Sequence, residues 1–201
     1  MWSMKKILES RAIFQELQIT SMLQQQEFSI KKVYKVMLGD HEHVHWKRVA
    51  CNNKASPKAL FVTWLILHGR LATKDRLFTW GITNDDHCPL CNEASESISH
   101  LFFECPFSRA SWNACQQQLK EVVTVRALTE EINVVALKSK RSGAKAQLYC
   151  MMFAETMYQI WLQRNAKIFG GLMLDTVANF RQICFRVASR CNECTRKFML
   201  W

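Results

Sequence analysis

No apolar run in this chain approaches the roughly 20 residues that a bilayer-spanning helix requires, and the opening MWSMKKILES has no continuous apolar stretch behind its lysines. The sequence therefore predicts neither a membrane span nor a signal peptide. Glycine and proline are scarce, 6 and 3 among 201 residues, which excludes a collagenous or low-complexity chain; 49% hydrophobic against 22% charged residues places it among globular proteins. Acidic residues are also in short supply, 17 against 27 Lys+Arg, for a formal net charge of +10. That sign suits a partner with a phosphate backbone. The excess is scattered, however (Lys31, Lys32, Lys35; Lys138, Lys140, Arg141, Lys145; Arg181, Arg186, Arg190, Arg196, Lys197), so a solvated surface explains it equally well. Long strand patterns, βαβ alternation and internal repeats are absent too, which leaves a mainly α fold as the economical expectation.

Cysteine, by contrast, is abundant. Nine residues form an odd set without an export signal, in a chain long enough to bury a core without staples. An intracellular, reducing compartment is expected, nucleus or cytoplasm unresolved, with thiols free or bound to metal.

Along the chain, residues 4–24 carry a loose helical stripe. SIKKVYKVMLG is sharper, with Ser29 as cap, Gly39 as stop and Ile30, Val33, Tyr34 and Met37 on one face. SPKALFVTWLILHG has Ser56 as N-cap, Pro57 at the first helical position and Gly69 as stop; its broad apolar content (Leu60, Phe61, Trp64, Leu65, Leu67) predicts the central core helix. TKDRLFTWG repeats that grammar with Thr73, Asp75 and Gly81, and FSRASWNACQQQL, after Pro106, predicts a helix through about Leu119. Between 119 and 145 periodicity is lost and a connector is expected. Two helices then follow, one over about 144–169 ending at Gly170-Gly171. The other is capped by Asp175 and carries Phe180, Cys184, Val187, Cys191, Cys194 and Phe198 on a single seam. The expected organisation is an N-terminal helical segment (1–40), a central domain (44–118), a connector (119–145) and a C-terminal helical pair (146–201).

Chemistry concentrates in CPLCNEASESISHLFFEC. Cys88 and Cys91 are spaced to offer two thiolates from one tight turn, and His100 and Cys105 follow on or near the first turns of a helix, completing the four N/S ligands a zinc tetrahedron takes. A filled set leaves no position for water or substrate, so one structural Zn2+ is expected, without catalysis. The spacing is that of a single-strand-binding zinc knuckle with its middle gap widened, for which Phe102, Phe103, Phe107 and Trp112 could offer stacking faces; rings around a small zinc site more often form its core. Other motifs carry less. HEHVH matches H-E-x-x-H and nominates His41, Glu42 and His45 as a zinc hydrolase, with His68 or Glu93 as third ligand, but it follows a helix-ending glycine. Cys191-x2-Cys194 lies on an apolar seam and is better explained by packing. Asp85-Asp86 is better explained as a solvated turn than as a Mg2+ pair.

These motifs in order, FSIKKVYKVM, then Trp46, SPKALFVTWLILHGRLATKDRLFTWGI, CPLC, ESISHLFFECPFSRASW and the later YQIWLQRNAKIFGG, resemble the zinc-binding domain found downstream of the reverse transcriptase in plant LINE-type (non-LTR) retrotransposons. The resemblance covers most of residues 28–170. It implies zinc ligands at Cys88, Cys91, His100 and Cys105, an origin in a retroelement polyprotein, and association with RNA or DNA in a retroelement ribonucleoprotein, auxiliary to reverse transcription. No membrane partner and no small-molecule substrate are expected. The polymerase carboxylates, endonuclease and ribonuclease H of a full element have no counterpart here, so a remnant or fragment is expected, either with nucleic-acid binding or as a protein-interaction remnant without it.

Overall fold

The computed structural model describes residues 31, 34, 35, 39, 43–124 and 126–197, the side chain of 194 excepted. Helices are Lys47–Cys51 (α1), Pro57–Leu67 (α2), Lys74–Thr79 (α3), Pro106–Gln118 (α4), Leu128–Ser139 (α5), Ala144–Ile168 (α6), Thr176–Ala188 (α7) and Glu193–Arg196 (α8), with a π-helical turn at His100–Glu104. Among the described residues there is no strand, only an isolated antiparallel bridge between His87 and Ser95. The mainly α expectation holds.

The chain divides into two compact units, Met1–His43 and Val44–Trp201. In the first, Lys31, Tyr34 and Lys35 are helical and Gly39 takes φ +66°, which fits the SIKKVYKVMLG helix; the rest of that stretch, the helix expected over 4–24, and His41 and Glu42 lie outside the described residues.

In the second unit α6 must be enclosed, because Leu148 to Met157 are buried without a break and the helix has no solvent face there. Helices α2, α4, α5, α7 and α8 pack around it. Trp112 of α4 meets Tyr149 and Phe153 edge-on, both at 5.6 Å, and Phe103 stacks on Phe153 at 6.3 Å. One hydrophobic cluster runs from Val49 to Cys191. Phe102, Phe103 and Trp112 belong to this core and Phe107 packs against it, so the stacking surface considered for them is not available.

Local punctuation is as expected at α2, α6 and α7. Ser56 Oγ accepts the Ala59 N–H, Pro57 opens α2, Asp175 Oδ1 accepts the Ala178 N–H at 2.7 Å, and Gly69 and Gly170 end α2 and α6 at φ +62° and +74°, where a side chain would be strained. Three expectations are corrected. The central helix is α6, not α2, because α2 buries only Ala59, Val62, Thr63 and Ile66 while Phe61 is 60% exposed. The range 119–145 holds α5. Its start lacks a capping side chain at Ala127, and an acid, Glu131, sits on the buried stripe with Val135 and Ala136, which disguises the period. That acid is satisfied by the Tyr149 hydroxyl at 2.7 Å and Arg126 at 3.1 Å. Finally, the C-terminal seam is not one helix: α7 ends at Ala188, and Cys191 is buried in the link before α8.

These burials predict opposite outcomes for two phenylalanines. Phe153→Ala should cost about 3–5 kcal/mol in urea unfolding, whereas Phe61→Ala should shift stability by no more than about 0.5 kcal/mol.

Candidate metal centre

The Cys-x2-Cys turn is shaped by its backbone. Asn92 N–H donates to the Cys88 carbonyl at 2.8 Å, Cys88 N–H to Ala94 at 2.8 Å and Glu96 N–H to Asp86 at 2.7 Å, closing a short hairpin around Pro89 and Leu90. Asn92 takes φ +62°, a left-handed conformation that asparagine tolerates better than most residues. Ser97 Oγ then accepts the His100 N–H at 3.0 Å and starts the π turn, which ends where Cys105 N–H reaches the His100 carbonyl at 2.7 Å. The five-residue reach of that bond sets His100 and Cys105 at the two ends of one wide turn, with Leu101, Phe102 and Phe103 buried between them.

The result brings the ligand atoms of Cys88, Cys91, His100 and Cys105 within 4.8 Å of one another. Ligands about 2.3 Å (S) and 2.0 Å (N) from a zinc ion stand roughly 3.5–3.8 Å apart in a tetrahedron, so the set is of the right size. His100 Nε2 faces the cluster, 3.2 Å from Cys91 Sγ, while its Nδ1 lies 4.0 Å from the Glu104 carboxylate, the side from which a carboxylate orients a metal-binding imidazole. Cys88, His100 and Cys105 are buried, and Cys91 is half-buried.

The thiols are already differentiated. A hydrogen bond from Cys88 holds Cys105 below the usual thiol range, helped by the Ser108 and Phe107 amides at the start of α4; the same bond, with burial, raises Cys88. Two thiols thus compete for one anionic position, a conflict that a cation removes by accepting both as thiolates. Three core thiols differ: burial pushes Cys115 up to about 12 and Cys150 and Cys184 up to about 11, so these three remain protonated packing groups.

The loop is also tied to α6. Glu96, fully buried, receives Arg164 Nε at 2.8 Å on one oxygen and Nη2 at 3.0 Å on the other. The second oxygen also accepts the Lys74 N–H at 2.9 Å, so Glu96 caps α3, where Thr73, the expected cap, makes no capping bond. Neither Glu96 nor Arg164 stood out in the sequence, although Arg164 lies within YQIWLQRNAKIFGG.

Among the described residues, the other nominated ligands form no second Cys/His set; Asp85 and Asp86 lie together with His87, their ligand atoms within 4.8 Å, in a largely exposed group. His45 lies in an exposed turn rather than on a helix, and His68 is packed against Trp64 at 4.6 Å and Trp46 at 5.0 Å, so neither joins a metal cluster. Glu93 is exposed, with its N–H directed at Cys91 Sγ at 3.5 Å. Asp85 pairs with Lys74 at 2.6 Å and His87 at 3.0 Å, and these contacts hold its carboxyl below the ordinary range; Asp86 accepts Ser95 Oγ at 2.6 Å. They form an exposed, hydrogen-bonded turn. Cys191 is buried, consistent with packing.

A buried set of three thiols and one imidazole, with no place for a further ligand, is the donor chemistry of a structural zinc domain. Residues 28–112 match the family described as zinc-binding in reverse transcriptase, and this segment is a reverse transcriptase zinc-binding domain; zinc is its metal, and the domain is distinct from the catalytic part of reverse transcriptase. No curated protein and no solved structure matches the chain. Among the described residues, no helix is long and apolar enough to cross a membrane.

Removing one member of the buried pair tests the link between loop and α6. Arg164→Leu, which strands the Glu96 carboxylate, should destabilise the protein by about 3–5 kcal/mol, and Glu96→Leu with Arg164→Leu should recover part of that loss. An unchanged urea midpoint in Arg164→Leu would show that the pair does not hold the loop.

Proposed function

We propose that this chain is a non-enzymatic zinc-binding module derived from a retrotransposon polyprotein of the plant LINE type. Cys88, Cys91, His100 and Cys105 bind one Zn2+ that fixes the loop between α3 and α4, and the basic surface associates weakly with RNA or DNA in a role auxiliary to reverse transcription. The zinc-binding segment (44–118) and the C-terminal pair (146–201) act as one scaffold. The observation that carries this reading is the closed Cys3His set: its four donors saturate zinc and leave no position from which the metal could activate water. The family match supports the retroelement origin, and the net charge of +10 supports a phosphate-bearing partner.

A protein-interaction role without nucleic acid is the second reading, favoured by Phe169 and Leu172, both largely exposed just after α6. Failure to bind single-stranded RNA at low salt would select it.

Purified, reduced protein should carry about one zinc per chain by elemental analysis, and Cys88→Ser or His100→Ala should each abolish stoichiometric binding and lower thermal stability. Carefully reduced protein without stoichiometric metal would overturn the assignment. Affinity for RNA or DNA should fall linearly with salt on logarithmic axes, as counterion release requires.

A further inference from the structure

The circumference of α2 is divided between two kinds of surface. Ala59, Val62, Thr63 and Ile66 are buried, whereas Phe61, the half-buried Trp64 and the exposed His68 follow one another at i, i+3 and i+7 on the other side. Their rings are in contact in series. Phe61 stacks on Trp64 at 6.2 Å with an interplanar angle of 16°, Trp64 lies 4.6 Å from His68, and Trp46, from the turn before α1, meets His68 edge-on at 5.0 Å. Four rings make a ladder whose far end, Phe61, is open to solvent. Trp46 packs against the core, but burial there does not account for the exposed Phe61 and His68.

Charge around the ladder is one-sided. Residues 43–74 contain no Asp or Glu but include Lys47, Arg48, Lys54, Lys58, Arg70 and Lys74, so this stretch supplies +6 of the net +10. The first five are exposed, and Lys58 sits one helical turn before Phe61 on the same side of α2. Arg48 extends the cationic surface. It donates to the Lys140 carbonyl at 3.4 Å and, with Arg141, lines a polar cleft of about 370 Å³ whose walls include no carboxylate.

We propose that the α1–α2 face is a docking surface for single-stranded nucleic acid, with bases stacking on Phe61 and Trp64 and phosphates running along Lys58, Lys47 and Arg48. This rests on the nucleic-acid reading above and gives it a location. Charge complementarity selects the occupant: an exposed Phe61 and a half-buried Trp64, set in a basic stretch that contains no acidic residue, match alternating base faces and phosphates. A single strand offers unpaired base faces, whereas a duplex has buried its own in stacking.

The test titrates full-length, zinc-loaded protein with labelled oligouridine, oligodeoxythymidine and a duplex of equal length, following tryptophan quenching and anisotropy, with zinc content and light scattering in parallel. Phe61→Ala and Trp64→Ala should each weaken single-strand binding about fivefold or more, Trp64→Phe should retain most of it, and Lys58→Gln should reduce the salt slope by about one. Trp64→Phe and Lys58→Gln remove little packing and keep the proposal testable if an alanine variant fails to load zinc. The two single strands separate a general stacking site from one that also uses the ribose hydroxyl; tighter binding of either over duplex supports the proposal. Wild-type binding that the ring variants leave unchanged overturns the platform while nucleic-acid binding stands, and absence of wild-type binding at low salt overturns both. Equal affinity for duplex and single strand overturns the stacking mode. A ring variant that loses self-association but keeps its RNA affinity assigns the face to a second copy of the chain and overturns the proposal.

Discussion

A carboxylate removed completely from water costs several kcal/mol unless a cation and further donors meet it, and Glu96 is in that position. Its partners come from two directions: Arg164 of α6 engages both oxygens, and the first turn of α3 contributes a backbone N–H. Glu96 lies in the loop between Cys91 and His100, so the geometry of the metal centre and the position of the central helix are solved together. This constraint also explains the sequence that follows the domain. The family match ends at residue 112, in α4, yet the loop it contains is completed by an arginine from YQIWLQRNAKIFGG. That later segment supplies a wall of the same scaffold.

Two further buried acids join separate elements, Glu131 by the same logic and Glu155 through one oxygen only, its Oε2 having no hydrogen-bond partner. Glu155 of α6 accepts the Ser56 N–H at 2.6 Å, ahead of α2, and Glu131 of α5 accepts the Tyr149 hydroxyl and Arg126. Three buried glutamates therefore fasten separate elements to α6 by directional bonds, where apolar contacts alone would allow sliding. The metal centre adds a fourth fixed point, with Cys105 both a member of the Cys3His set and the residue preceding the first turn of α4. Anionic sulfur is favoured there by the same orphan amides that favour any anion at a helix start.

Aromatic residues sort by their surroundings rather than by their type. Phe102, Phe103, Trp112 and Phe153 fill the space between the π turn, α4 and α6, while Phe61 and Trp64 lie on the side of α2 turned away from α6. The rings inside the metal-binding motif are therefore structural, while Phe61 and, in the segment ahead of the motif, Phe78 and Trp80 are left accessible.

Features determined by local backbone chemistry could be read from the chain itself. Cys88 and Cys91 flank two residues of a single turn, and Ser56, Pro57, Gly69, Asp175 and Gly170 act on the backbone beside them, so their roles need no distant partner. His100 and Cys105 were legible as members of the set, but their placement at opposite ends of a π turn was not, because a five-residue hydrogen bond leaves no mark in side-chain spacing. Tertiary structure alone decided which helix is central, which face of α2 is buried, that α5 exists under an acid-bearing stripe, and that Glu96 belongs to Arg164, 68 residues away. The physical reason is the same in each case: burial and ion pairing are properties of what packs against a residue, and one chain of letters records the residue without its neighbour.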